Sequence, residues 1–138
     1  MNAHKLNLTQ LQAIIDRSSF NRWLGMQALA IDHESVTLGI QWRDELISSP
    51  ERQSTHGGVI AALVDCCADY VIAAQIGRPV PTIDLHIDYH KAARPGNLTA
   101  TARITHLGSS MGVASVLVND VHSQLIASGR GMYWVATH

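Results

Sequence analysis

Hydrophobic residues follow two different periods along this chain, and the period changes near Gly77. Before that point, apolar side chains recur at helical spacing in residues 8–18 and fill nearly every position of residues 58–76. Thr55 or His56 precedes the second run and Gly77 follows it, as expected for a helix start and a glycine stop. The pattern therefore predicts a short N-terminal helix and one long helix.

Beyond residue 80, apolar and polar residues alternate, which is typical of β-strands with one buried face. Before the long helix, two further stretches rich in apolar residues predict a β-hairpin that turns at residues 32–34. Predicted strands cover residues 23–31, 35–42, 82–89, 97–107, 111–119 and 124–135. One long apolar helix with about six strands predicts an α+β fold, in which a curved antiparallel sheet wraps the helix. At 138 residues the chain fits a single domain, residues 1–138.

Composition and charge exclude several classes of protein. Ten basic and eleven acidic residues give a net charge of −1, without the basic excess of a nucleic-acid-binding surface. The N-terminal segment lacks the pattern of a signal peptide, and Asp65 and Asp69 interrupt the long apolar run, which makes a membrane span unfavourable. Cys66 and Cys67 are adjacent, a spacing that suits neither an ordinary disulfide nor a zinc site. We therefore expect a cytoplasmic protein with neither a nucleic-acid nor a membrane partner.

The sequence His56-Gly57-Gly58 at the start of the long helix is the first candidate for chemistry. The first N–H groups of a helix have no partner within it, and the helix dipole adds partial positive charge there. Glycine lets a ligand approach these groups closely. The segment is therefore suited to bind a carbonyl oxygen that becomes an oxyanion.

Asp65 is the second candidate, because a carboxylate inside an apolar helix is costly unless it is paired. Gly57 and Asp65 are eight residues apart, or about 12 Å at ~1.5 Å per residue, so one carbonyl group cannot contact both from the same helix. Joint action requires two antiparallel helices related by a two-fold axis, and hence a dimer. Asp69 shares the helix face of Asp65, where a structural or supporting role is expected.

Purely structural roles are the alternative explanation for His56 and Asp65. His56 would then be a hydrogen-bonding residue at the helix entry. Asp65 would be a satisfied core or interface residue, bonded to Thr82 or to a neighbouring hydroxyl group.

The segment HGGVIAALVD, residues 56–65, resembles the HGG-x(6)-D/E signature of PaaI-like hotdog-fold acyl-CoA thioesterases. The similarity continues through TIDLHIDYHKAARPG, residues 82–96. The resemblance implies a hotdog fold and the hydrolysis of an acyl-CoA to a free acid and CoA, with no cofactor. It also implies that the Gly57 N–H polarises the thioester carbonyl and that Asp65 of the facing subunit is the nucleophile or general base.

Other catalytic residues and assemblies follow from the same resemblance. Thr82 falls where relatives place a hydroxyl that holds the attacking water. His56 matches the motif histidine, which shapes the loop or contacts substrate. Relatives form homodimers, which commonly pair into homotetramers.

The resemblance also predicts substrate contacts. Many relatives have Asn or Gln six residues before the motif histidine, where this chain has Pro50, and Gln53 lies close enough to substitute. Lys91 and Arg94 fall in a turn that often binds CoA phosphates in relatives. The predicted substrate-binding residues are Gly58, Gln53, Asp69, Lys91, Arg94, Ser109 and Ser110.

Several alternatives compete with this interpretation. His86 and His90 would lie roughly 13 Å apart on a strand at ~3.3 Å per residue, too far to share a zinc ion, so no metal is expected. Either cysteine would be a poor nucleophile in the middle of a helix. A hotdog dehydratase or hydratase would rely on a catalytic histidine within motifs absent here. A non-catalytic acyl-CoA-binding or regulatory module would not need Asp65, which counts against it. Pro50 counts for it, because this position lacks the amide side chain that many relatives have there.

Overall fold

A computed structural model describes residues 4–137 of the chain. Within this range lie three α-helices, six β-strands and a short 3₁₀ turn at Asp44–Leu46. In chain order the helices and strands are α1 (Leu8–Ile15), α2 (Ser19–Leu24), β1 (Met26–Ile31), β2 (Ser35–Ile40), α3 (Gly57–Ile76), β3 (Thr82–Tyr89), β4 (Leu98–Leu107), β5 (Met111–Asn119) and β6 (Leu125–Trp134). The predicted α+β architecture is confirmed.

The strands form one antiparallel sheet in the order β1-β2-β4-β5-β6-β3. The long helix α3 packs against β2 through β6, with Leu63, Val64 and Cys67 completely buried. Gly129 on β6 permits this close approach, since a Cβ there would lie 2.6 Å from a Val64 methyl carbon. The result is the expected hotdog arrangement, in which β3 forms one edge of the sheet.

The N-terminal region contains two short helices where one was predicted. Asn7 caps α1 by accepting from the Gln10 N–H at 2.8 Å, and the Gln10 side chain accepts from the Asn7 N–H in return. Ser18 then caps α2, which ends at Gly25 with a φ of 68°. The prediction that a strand starts at residue 23 is therefore wrong, because these two caps enclose a helical turn within the apolar run.

The long helix α3 ends at Gly77, whose φ of 96° stops it as predicted. In length and composition α3 resembles a membrane span, alone among the helices of residues 4–137. However, 61% of its apolar stretch is buried inside the protein. The helix is the core of the fold.

Candidate active site

The motif histidine caps the N-terminus of α3. Nδ1 of His56 accepts a hydrogen bond from the Gly58 N–H at 2.8 Å, which satisfies one of the unpaired donors of the first turn. The imidazole ring lies close against Gly58, where a Cβ would be 2.9 Å from Nδ1. His56 is thus a helix cap, and the second glycine of the motif makes room for its ring.

Gly57 leaves an N–H group unused. Among residues 4–137, the Gly57 N–H has no hydrogen-bond acceptor. The Gly57 carbonyl oxygen accepts from the Tyr89 hydroxyl at 2.7 Å, which ties the first turn of α3 to the end of β3. An unpaired N–H at a helix start is chemically suited to an oxyanion.

Asp65 is half-buried, and two hydroxyl groups hold it through the same carboxylate oxygen. Thr82 Oγ1 donates to Oδ1 at 2.8 Å, and the Tyr133 hydroxyl lies 2.9 Å from that oxygen. The Tyr133 hydroxyl also lies 2.7 Å from the main-chain carbonyl oxygen of Asp65. Within the described part of the chain, no donor reaches the other oxygen, Oδ2. The hydrogen bond from Thr82 is the contact expected if Asp65 were purely structural. The other oxygen, Oδ2, has no such partner among the described residues and is available to react.

A β-bulge brings Thr82 to this position. Thr82 and Tyr89 are seven residues apart, so regular alternation would direct them to opposite faces of the sheet. Both nevertheless contact α3, at Asp65 and Gly57 respectively. The pairing of β3 with β6 shifts between Thr82 and Asp84, and the extra residue reverses the alternation. The predicted regular alternation is therefore wrong at the first residue of the strand.

Tyr133 on β6 is a site residue that the sequence analysis missed. It is completely buried and pairs directly with Thr82 in the sheet. Burial raises the pKa of Tyr133, and the Asp65 charge beside it raises that pKa further. The hydroxyl therefore stays protonated and remains a donor. Its sequence signal is a tyrosine at a buried strand position, where the hydroxyl requires a polar partner.

Asp69 lies one helical turn beyond Asp65. Its Oδ1 accepts from the Val80 N–H at 3.1 Å and so fastens the connection between α3 and β3. Burial raises the pKa of Asp69 to about 7; the Val80 bond opposes this rise and the Asp65 charge adds to it. These contacts supply a structural role for Asp69, while substrate binding by this residue stays a prediction.

The predicted CoA-binding cations lie near the N-terminus of α3. Lys91 and Arg94 follow the end of β3, and both are exposed. Between them, the Ala93 carbonyl oxygen accepts from the Thr55 N–H at 2.8 Å. Both cations therefore share the end of the molecule that carries Gly57.

Ser109 and Ser110 lie at the opposite end of the sheet. Their turn connects β4 to β5, and the Ser110 carbonyl oxygen accepts from the Val135 N–H at 2.7 Å, just beyond β6. Within one chain they are therefore apart from the two cations. Gln53 occupies the exposed loop before α3, where its amide donates to the Pro50 carbonyl oxygen at 2.7 Å. Its side chain is thus engaged within its own loop.

Both thiols are unsuited to nucleophilic chemistry. Burial raises the pKa of Cys66 to about 12, and the charges of Asp65 and Asp69 add to the effect. Cys67 is completely buried, and its thiol donates to the Ala100 carbonyl oxygen at 3.3 Å. Because the thiolate is the reactive form, both cysteines are packing residues at neutral pH.

Comparisons with known proteins place the chain in a family. The sequence profile of the Thioesterase superfamily matches residues 53–127. A solved structure from the thioesterase superfamily is 48% identical, with a TM-score of 0.90, and the match covers 93% of this chain and 97% of that one. The medium/long-chain acyl-CoA thioesterase YigI of Escherichia coli is 28% identical in an alignment 132 positions long, which covers 84% of this chain and 84% of that protein. The E. coli PaaI protein from the phenylacetic acid degradation operon shares the fold, with a TM-score of 0.78 at 21% identity over 92% of this chain and 94% of that one.

The chain belongs to the thioesterase superfamily, whose general chemistry is the hydrolysis of thioesters. Its fold is that of the hotdog thioesterases, the PaaI protein among them, and the resemblance drawn from the HGG segment is confirmed.

Proposed function

We propose that this protein hydrolyses an acyl-CoA to a free acid and CoA, with each active site built from two copies of the chain. The Gly57 N–H of one copy binds the thioester carbonyl oxygen, and Asp65 of the other acts on the carbonyl carbon. The observation that carries this proposal is the oriented carboxylate of Asp65 on a mostly apolar helix, with Oδ1 held by Thr82 and Tyr133 and Oδ2 left without a donor among residues 4–137.

Acyl-CoA is the proposed substrate for two reasons. The relative YigI is named a medium/long-chain acyl-CoA thioesterase. In addition, Lys91 and Arg94 are exposed cations at the Gly57 end of the molecule, where they are suited to the phosphates of CoA.

The need for two copies follows from distance. Gly57 and Asp65 are separated by about 12 Å along α3 at ~1.5 Å per residue. Strand β3 is a sheet edge, with Ile83 49% exposed and Tyr89 52% exposed. Antiparallel pairing of two β3 edges about a two-fold axis would bring the Tyr89 end of one copy beside the Thr82 end of the other. The two halves of the site would then meet at the interface.

Two routes are compatible with this arrangement. In the first, an Asp65 oxygen bonds to the carbonyl carbon, the C–S bond breaks, and CoA leaves as a thiolate that gains a proton. Water then hydrolyses the acyl–aspartyl anhydride. In the second, Asp65 takes a proton from water as the water oxygen bonds to the carbonyl carbon, and collapse of the intermediate breaks the C–S bond and protonates the sulfur.

A second candidate function is a non-catalytic acyl-CoA-binding module. Pro50 favours it, because the position has no amide side chain and the Gln53 amide is bonded to the Pro50 carbonyl oxygen. The carboxylate of Asp65, which a binding module would not need, favours the enzyme; Thr82 and Tyr133 hold its Oδ1 and leave Oδ2 without a hydrogen-bond donor among residues 4–137.

Thiol release from a panel of short, medium, long and aromatic acyl-CoAs separates the two functions. We expect turnover of at least one member by the wild type and its loss in Asp65→Asn, which keeps an acceptor for Thr82 and Tyr133. Asp32→Asn, at the turn between β1 and β2, is the matched control and should retain turnover. Tight binding of acyl-CoA by the wild type without thiol release would instead establish a binding module.

A further inference from the structure

We infer that Tyr133 is a positioning residue, which together with Thr82 holds Oδ1 of Asp65 so that Oδ2 is the oxygen that meets the thioester or its attacking water. This inference rests on the proposed function, since it specifies which atom of Asp65 reacts.

The geometry restrains the side-chain torsions of Asp65. The Tyr133 hydroxyl lies 2.9 Å from Oδ1 and 2.7 Å from the main-chain carbonyl oxygen of the same residue. A single group that contacts both the backbone and the carboxylate of Asp65 limits rotation between them. Thr82 Oγ1 approaches the same Oδ1 at 2.8 Å from the neighbouring strand. Since both hydroxyls engage Oδ1, rotation of the carboxylate would break the Thr82 hydrogen bond and the share of the Tyr133 hydrogen bond that reaches Oδ1.

The sheet fixes both hydroxyl groups relative to each other. Tyr133 and Thr82 are direct partners in the β3–β6 pairing, and Tyr133 also pairs with Gly112 on β5. Because Tyr133 is completely buried, its ring has little freedom to move away. The two donors therefore act as one rigid support for Asp65.

Gly131 makes room for the tyrosine ring. A Cβ at Gly131 would lie 2.3 Å from the Tyr133 hydroxyl oxygen and 2.5 Å from a ring carbon. The ring thus lies over the backbone of its own strand, two residues back, and from there its hydroxyl reaches α3. A side chain at residue 131 would displace the hydroxyl from Asp65.

The hydroxyl keeps its proton at working pH. Burial, followed by the adjacent Asp65 charge, raises the pKa of Tyr133. Tyr133 is therefore a donor and not a base, and its one proton is shared between the main-chain carbonyl oxygen of Asp65 at 2.7 Å and the carboxylate oxygen Oδ1 at 2.9 Å. Its role is to orient Asp65 and not to exchange protons with the substrate.

The test is Tyr133→Phe, which keeps the buried ring and removes only the hydroxyl. We expect kcat to fall roughly 10- to 100-fold, as for loss of a hydrogen bond to a charged group, with KM within about twofold of wild type. Tyr70→Phe is the matched control. Tyr70 is also buried, at 6% exposure, and its hydroxyl accepts from Asn21 at 3.0 Å instead of donating to Asp65. It should retain wild-type kcat. A kcat of Tyr133→Phe equal to that of Tyr70→Phe would overturn the inference.

A crystal structure of Tyr133→Phe provides a readout that does not depend on turnover. We expect the Asp65 carboxylate to rotate or to occupy two orientations, because only Thr82 still holds Oδ1. An unchanged, single carboxylate orientation would overturn the positioning role, even if kcat fell. Absence of thiol release by the wild type would refute the proposed function instead, and the carboxylate orientation would still decide whether Tyr133 restrains Asp65.

Discussion

The Tyr89 hydroxyl donates to the carbonyl oxygen of Gly57 at 2.7 Å, so the edge strand β3 is tied to the first turn of α3. The same strand begins with Thr82, which holds Asp65 eight residues further along that helix. One edge strand thus contacts both the proposed oxyanion donor and the proposed catalytic carboxylate. Any partner that pairs with β3 would position both at once.

Replacing Gly57 by proline tests the oxyanion donor. Proline removes the N–H, but it suits the first helical position, and His56 before it has an extended backbone that proline accepts. We expect kcat to fall about 10²- to 10³-fold, as for loss of one oxyanion donor, with helix content unchanged by circular dichroism.

Gly57→Ala is the control, because it keeps the N–H. Its Cβ would lie 3.4 Å from the Tyr89 hydroxyl, an ordinary contact. Equal losses in the alanine and proline variants would argue against the N–H as the essential group.

The cap on α3 predicts a difference between two His56 variants. His56→Ala removes the acceptor for the Gly58 N–H and should lower the free energy of unfolding by about 1 kcal/mol. His56→Asn supplies another capping acceptor and should stay near wild type, as measured by urea unfolding. If the asparagine variant is stable and yet inactive, His56 contacts the substrate in addition to capping the helix.

The raised pKa of Asp69 predicts how the free energy of unfolding depends on pH. Burial raises the pKa of Asp69 to about 7 in the folded protein, whereas the unfolded chain releases this proton near pH 4. Between these values the folded state binds more protons than the unfolded state, so stability falls as pH rises through this window. The total loss is at most about 4 kcal/mol.

The variant Asp69→Asn keeps an acceptor for the Val80 N–H and removes the titration. Urea unfolding at about pH 4 and pH 8 should therefore show a smaller pH dependence for the variant than for the wild type. Equal dependence in both proteins would mean that Asp69 is charged in the folded state throughout this range.

The exposed edge of β3 predicts the effect of a charge at the proposed interface. Ile83 is 49% exposed on this strand, and Ile83→Lys should weaken self-association and thiol release together. Val121→Lys, at a site 61% exposed in the turn before β6, is the matched control. Light scattering coupled to size exclusion measures the association state. Full assembly of Ile83→Lys would exclude Ile83 from the interface.

The parts of the fold that local sequence determines were predictable. Helix α3 follows from its apolar run between His56 and Gly77, and β3 and β5 follow from alternation between turn residues. The contact of Thr82 with Asp65 was also foreseen, because a buried carboxylate requires a hydroxyl or similar partner.

Features that depend on tertiary structure were not predictable. The bulge in β3 arises from its pairing with β6, and it is what turns Thr82 toward α3. Tyr133 lies 68 residues from Asp65 in sequence, and only the packing of α3 against the sheet brings their side chains together. Helix α2 was missed because its caps, Ser18 and Gly25, were weaker signals than the apolar residues between them.

The most direct test of the two-copy site is complementation between two inactive variants. In a heterodimer of Asp65→Asn with Gly57→Pro, one site carries both substitutions and the other carries neither. A heterodimer purified through two different tags should therefore recover about half of wild-type turnover per dimer, since one of two symmetric sites is intact. Turnover no higher than that of the two parent variants would mean that Gly57 and Asp65 do not act together across the interface.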